Sequence, residues 1–159
     1  TWNVVSAVEV LDREGHLHIR HPQDFQIAYR SVIGKPNEWF VAGHFQLQNG
    51  VKEEALEKIR ALLDHRAATQ PTSEPNCGSV FRNPPGDYAA RLIEACGLKG
   101  KRIGGASVST KHANFIVNDG SATAKDIENL IALIATQVKA QHGISLIREV
   151  HIIGQETPT

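Results

Sequence analysis

Asn76-Cys77-Gly78-Ser79-Val80-Phe81-Arg82-Asn83-Pro84 is the stretch on which the reading of this chain turns. Gly78 lets the backbone turn sharply or approach a ligand closely. Val80 and Phe81 favour a strand. Asn83 is held extended by the proline that follows it. Two readings are open here. Ser79 is either a surface hydroxyl where a short strand enters a turn, or a polar group fixed at a strand edge and aimed into a cleft.

The run before it, Ala67 to Pro75, holds two prolines among small polar residues and reads as a linker between two units. Upstream, Val4 to Leu11 is rich in β-branched residues. Asp12-Arg13-Glu14-Gly15 then turns the chain, and His16 to Ile19 returns as the second strand of a hairpin. His16 and His18 alternate, so they share a face. Such a pair can bind metal, but no third ligand type is near, and solvent-facing side chains are the simpler reading. Pro22 to Phe25 suits one helical turn.

Tyr29-Arg30-Ser31 interrupts the pattern before Gly34-Lys35-Pro36. Arg30 is either a surface charge or a guanidinium fixed to hold a carboxylate, which its planar fork suits. Trp39 to Leu47 is expected as a strand, with Phe40, Ala42, His44 and Gln46 on one face. Glu53 to Arg66 is expected as an amphipathic helix, its stripe made of Leu56, Ile59, Leu62 and Leu63.

Downstream, Asp87 is offered as the N-cap of a short helix carrying Leu92, Ile93 and Cys96, ended by Gly97. Gly104-Gly105 resembles a phosphate loop, but neither GxGxxG nor GxxxxGK[ST] is present, so packing is the expected reason for the pair. Lys111 and His112 precede a short strand at Phe115 to Asn118. Thr123 and Asp126 form a capping box with Asp in the third position. Ile127, Leu130, Ile131, Ile134 and Val138 then make the longest helical stripe, closed by Gly143. Ile144 to Ile153 is expected as a last strand. It carries Glu149, which is either a solvent group or an acid placed in a site. The fold class is α+β, in two lobes.

The bulk numbers exclude several functions. The 159 residues suffice for one domain or two small units. Lys+Arg and Asp+Glu both total 17, and no basic block stands out, so no nucleic-acid partner is expected. No apolar run reaches the roughly 20 residues of a membrane span, and no signal peptide is visible. Cys77 and Cys96 form no CxxC pattern, and reduced thiols in a cytosol account for them. The chain has no methionine and opens within a strand-like run, so an internal or processed piece of a longer protein is expected.

Taken together, several segments resemble a known family. They are Gly78 to Pro84, Ala90-Arg91-Leu92-Ile93-Glu94, Gly97-Leu98-Lys99-Gly100, Ile103-Gly104-Gly105-Ala106, Lys111 to Asn118 and Glu149-Val150-His151-Ile152-Ile153-Gly154. In this order they are similar to the C-terminal half of UDP-N-acetylenolpyruvoylglucosamine reductases. Tyr29-Arg30 stands where that family has a Tyr-Arg pair, and the short step from Trp39 to the first long helix resembles the shorter, type II-like form.

The resemblance implies a cytoplasmic oxidoreductase of peptidoglycan synthesis. NADPH would reduce FAD, and the flavin would then reduce UDP-N-acetylglucosamine enolpyruvate to UDP-N-acetylmuramate. It implies Ser79, Arg30 and Glu149 as catalytic residues. Ser79 would give a proton to C2, Arg30 would polarise the substrate carboxylate, and Glu149 would act with it on the enol. Tyr29, Asn83, Lys111 and His112 would bind substrate, and Arg66 would lie near the flavin. Residues 1–70 would be the C-terminal part of an FAD-binding lobe and residues 71–159 the substrate-binding domain. The full-length protein is expected to be a monomer.

The family's main FAD-binding segments have no counterpart here, so this chain alone is expected to bind flavin poorly and to be inactive. The alternative is a non-catalytic fragment that binds a UDP-sugar. His151 stands where the family often has arginine, which removes that charge contact.

Overall fold

The computed structural model describes residues 1–154, and its contacts divide them into two compact units, Thr1–Ala55 and Leu56 onward. In the first unit β1 (Val5–Leu11) is the central strand of an antiparallel sheet, between β2 (Leu17–Arg20) and β5 (Trp39–Phe45). The β1–β2 hairpin is the one expected from sequence. Asp12 closes it: its Oδ1 accepts from the amides of Glu14 and His16, and its Oδ2 lies 2.7 Å from His18 Nε2. The paired histidines thus serve one carboxylate, His16 Nδ1 lying 3.5 Å from the same oxygen.

The hydrogen bond to His18, and next the His16 amide, hold the Asp12 carboxyl down at about 2. A carboxyl depressed in the folded state stabilises the fold above its unfolded pKa, and that stability is lost as pH falls towards the folded value. Asp12→Asn is therefore expected to flatten the loss of stability between about pH 4 and pH 2. An acid unfolding limb unchanged by the substitution would refute this.

Val8 and Val10 of β1 are buried, and the rings of Trp2, Phe25 and Phe40 meet at centroid distances of 5.2 to 6.3 Å. Every residue of β5 is nevertheless exposed, because this small sheet has one layer. A second hairpin pairs β3 (Gln26–Ala28) with β4 (Ser31–Ile33), leaving Tyr29 and Arg30 as its two-residue turn.

Helix α1 (Lys52–Thr69) begins at the end of the first unit and runs into the second. It extends into the stretch expected as a linker. Its stripe exists as expected, but Leu56, Ile59, Leu62 and Leu63 are all exposed. Within the second unit the end of α1 is held by a later loop, the Ala67 carbonyl accepting from Lys111 Nζ at 3.0 Å.

The second unit packs α2 (Ala89–Ala95) and α3 (Ala124–His142) with a sheet ordered β6 (Arg102–Ile103), β7 (Ala106–Val108), β8 (Ile116–Asn118). Its core joins Val80, Phe81, Leu92, Ile93, Val108, Ile116, Leu130, Ile134 and Val138. α3 is built as its sequence requires. Thr123 and Asp126 make the reciprocal capping box, and Gly143 ends the helix in the left-handed region at φ 70°. The two glycines at 104–105 turn β6 into β7 and are packed, as expected. A side chain on Gly104 would strike the Asp126 carboxylate, and one on Gly105 would strike Ala122 N.

Three local expectations are corrected. The N-cap of α2 is Tyr88, not Asp87. The Asp87 carboxylate is instead engaged by Arg91 and by the Tyr88 amide, while Asn83 Oδ1 accepts from Ala89 N at 3.0 Å. Neither Val80–Phe81 nor Ile144–Ile153 forms a regular strand. The two segments meet in a single bridge, Phe81 with Arg148. On the other side of Phe81, the Asn114 side chain takes both of its backbone groups, where a further strand would otherwise pair.

Candidate functional site

Ser79 follows Gly78, whose φ of +80° disfavours any side chain and whose amide donates to Asn76 Oδ1 at 2.9 Å. Asn76 is itself tied down, its amide nitrogen donating to the Pro71 and Glu74 carbonyls. On the other side of Ser79, Val80 N donates to Asn114 O at 2.9 Å. Val80 O accepts from Glu149 N at 2.8 Å, and Arg82 N donates to Ile147 O at 2.9 Å. Ser79 and Glu149 thus flank one backbone hydrogen bond, though 70 residues separate them in sequence. Both are half-buried. A hydroxyl and a carboxylate on two braced, paired segments can donate to and accept from a ligand with little reorganisation.

A cleft of about 390 Å³ lies nearby, lined by Leu63, Arg66, Ala67, Gln70, Thr72, Asn76 and Phe115. One sequence candidate lines it, and two others contact lining residues. Arg66 is on its wall, with Nε donating to Gln70 Oε1 at 3.3 Å. His112 packs edge-on against Phe115, ring centroids 4.8 Å apart. Lys111 reaches the α1 end at Ala67. Burial pushes the His112 imidazole below its ordinary pKa, so it is neutral near pH 7. Its Nδ1 accepts from Asn114 N at 3.3 Å, which leaves Nε2 as the protonated nitrogen, a donor for a ligand oxygen. Asn83 is half-buried and spends its Oδ1 on the first amide of α2.

Tyr29 and Arg30 belong to the first unit, at the tip of the β3–β4 hairpin. Arg30 has φ 56°, a left-handed conformation that costs a non-glycine residue about 1 kcal/mol, and its guanidinium carbon lies 5.9 Å from the Tyr29 ring centroid. Sequence reasoning did not single out Asn114 or Ser109, each 4 % exposed. Ser109 Oγ accepts from the amides of both Lys111 and His112 and shapes that turn. Only their burial in a polar loop marks them, and burial is not written in local sequence.

A small sheet backed by helices, with acid–base side chains on braced loops and its glycine pair closed by packing, defines a class. It is an α+β domain. A family model described as UDP-N-acetylenolpyruvoylglucosamine reductase, C-terminal domain, matches residues 70–153. The reductase of that name from Legionella pneumophila (strain Corby) is 59% identical over 155 residues, 97% of this chain and 50% of the relative. The one from Alkalilimnicola ehrlichii is 54% identical, covering 98% of this chain and 52% of its own length. The crystal structure of UDP-N-acetylenolpyruvylglucosamine reductase from Thermus caldophilus aligns with a TM-score of 0.78 at 34% identity, over 93% of this chain and 53% of that one. The chain belongs to the UDP-N-acetylenolpyruvoylglucosamine reductase family, and it spans about half the length of the curated relatives it matches. Among the described residues no helix is long and apolar enough to cross a membrane.

Proposed function

We propose that this chain is the C-terminal portion of a cytoplasmic enzyme that reduces UDP-N-acetylglucosamine enolpyruvate to UDP-N-acetylmuramate for peptidoglycan, with FAD and NADPH. The observation that supports the reading is the Glu149 N to Val80 O bond, which ties the Glu149 segment to the residue after Ser79 in a chain of this family. Ser79 donates a proton to C2 of the enolpyruvyl group. Glu149 acts on the developing enolate oxygen, and Arg30 holds the substrate carboxylate. The Lys111 cation, the neutral His112 Nε2–H, Asn83 and Tyr29 contact the UDP-sugar. Residues 1–70 are the end of an FAD-binding domain and residues 71–159 the substrate domain. The start of the family match at residue 70 supports that boundary.

The described residues do not fit a whole flavin dinucleotide. Arg66 offers a charge in the cleft, but the 104–105 glycine pair is filled by Ala122, Ser121, Asp119 and Asp126 and has no room for a phosphate. FAD, which supplies the hydride, is held mainly by parts of the protein beyond this match, and the chain alone is inactive. That poor fit is also what favours a second reading, a UDP-sugar-binding fragment without redox chemistry. NADPH oxidation by the natural-length protein with flavin and the enolpyruvyl UDP-sugar decides between them. Substrate-dependent oxidation is the expected result, and a folded, flavin-loaded protein that oxidises none would leave only the binding reading.

The strained turn supplies a separate prediction. Arg30→Gly removes the guanidinium but relieves the left-handed conformation at φ 56°. The variant is expected to lose about 100-fold or more in turnover with no fall in melting temperature. A variant that melts lower and stays active would remove Arg30 from the site.

A further inference from the structure

We infer that Asn114 is a positioning residue that fixes the backbone carrying the Ser79 hydroxyl. The inference rests on the functional reading above, and the geometry that carries it is a brace on the residues that follow Ser79. Asn114 is 4 % exposed, and both polar atoms of its side chain bond one backbone residue. Its Oδ1 accepts from Phe81 N at 3.0 Å, and its Nδ2 donates to Phe81 O at 2.8 Å. Its own carbonyl accepts from Val80 N at 2.9 Å. Three bonds from one residue therefore grip the two positions directly after Ser79. The same Val80 offers its carbonyl to Glu149 N at 2.8 Å. Val80 is held from both sides, by Asn114 and by the segment that carries Glu149.

This arrangement does what a neighbouring strand would do, but with a side chain of fixed length. A strand can slip in register, whereas a buried amide that satisfies both groups of one residue cannot. Without it, Phe81 N and O are buried and unpaired, and the segment has reason to shift to satisfy them. A displacement of about 1 Å at a reacting group costs about 100-fold in rate. The turn is shared as well, since Asn114 N donates to His112 Nδ1 at 3.3 Å. Asn114 touches neither substrate nor cofactor in this account. It acts through the backbone of Val80 and Phe81.

The test uses the full-length protein, with Asn114→Ala, which loses both side-chain bonds, Asn114→Asp, which keeps the acceptor for Phe81 N, and Val138→Ala. Val138 is fully buried in α3, in the same core, and serves as a destabilising control that removes none of the brace's hydrogen bonds. Two half-reactions are read per folded, flavin-bound enzyme: reduction by NADPH, and reoxidation by the enolpyruvyl UDP-sugar. Asn114→Ala is expected to slow reoxidation about 100-fold with flavin reduction near normal, and Asn114→Asp to lie between it and wild type. Amide exchange at Val80 and Phe81 is expected to quicken in the Asn114 variants and not in Val138→Ala. Equal losses in both half-reactions, or reoxidation as fast as wild type, overturn the positioning role. A wild-type protein that does not turn over the substrate overturns the functional reading beneath it, and this proposal with it.

Discussion

In the full-length protein, Ser79→Ala leaves flavin reduction by NADPH near normal and slows reduction of the enolpyruvyl substrate by roughly 10²–10⁴-fold, the range of a lost general acid. The substitution removes one oxygen and nothing that holds the segment. Gly78 N stays on Asn76, Val80 N on Asn114 and Glu149 N on Val80, because none of these bonds uses the Ser79 side chain. The loss is therefore expected in the proton-transfer step, with little change in melting temperature. A serine hydroxyl is a weak acid in water, so the site must offset this by making the receiving carbon a strong base or by relaying a proton from water. Rapid mixing of reduced enzyme with substrate reads the step directly. Turnover equal to wild type would remove Ser79 from the mechanism and leave its half-buried position a packing detail.

Gly105→Ala is expected to destabilise the protein by about 3 kcal/mol, among the larger costs of overpacking. The added carbon would fall on Ala122 N, with Ser121 Oγ at 2.5 Å and Asp119 Oδ1 at 2.6 Å. Two of these three neighbours are flexible side-chain ends, but a backbone nitrogen cannot swing aside. The loop at residues 119–122 leads into the capping box of α3, so the strain is passed to the longest helix of the unit. Gly50→Ala is the comparison, because nothing lies within 4 Å of its added carbon, and it is expected to be near neutral. Thermal or denaturant unfolding of the two variants side by side checks the pair. Equal stabilities would show that the 119–122 loop yields freely.

Much of the second unit was legible in its residues. α3 announced itself at every level: a capping box at Thr123 and Asp126, a stripe at 3.6-residue spacing, and Gly143 past its end. The β1–β2 hairpin was legible for the same reason, since alternation, turn residues and chain reversal agree within a short span. The packed role of Gly104-Gly105 was legible by elimination of phosphate-loop patterns. The stripe of α1 was legible too, but not its exposure, because periodicity says which residues share a face and not what lies opposite it.

The site divides along the same line. Residue types alone left Ser79, Glu149 and Arg30 open between surface groups and site groups, and it was the linear order of motifs, through the family resemblance, that implied them and His112 as site residues. Chain order cannot tell that residue 149 lies against residue 80, nor that a short bridge stands where two strands were expected. That pairing arises from contacts far apart in sequence, the bonds of Val80 O and Arg82 N to residues 149 and 147 beside a buried Phe81. Asn114 is the sharpest case. As a letter it is one polar residue in a loop; its role exists only once the fold has buried it beside Phe81, where an unpaired amide is costly and a paired one is rigid.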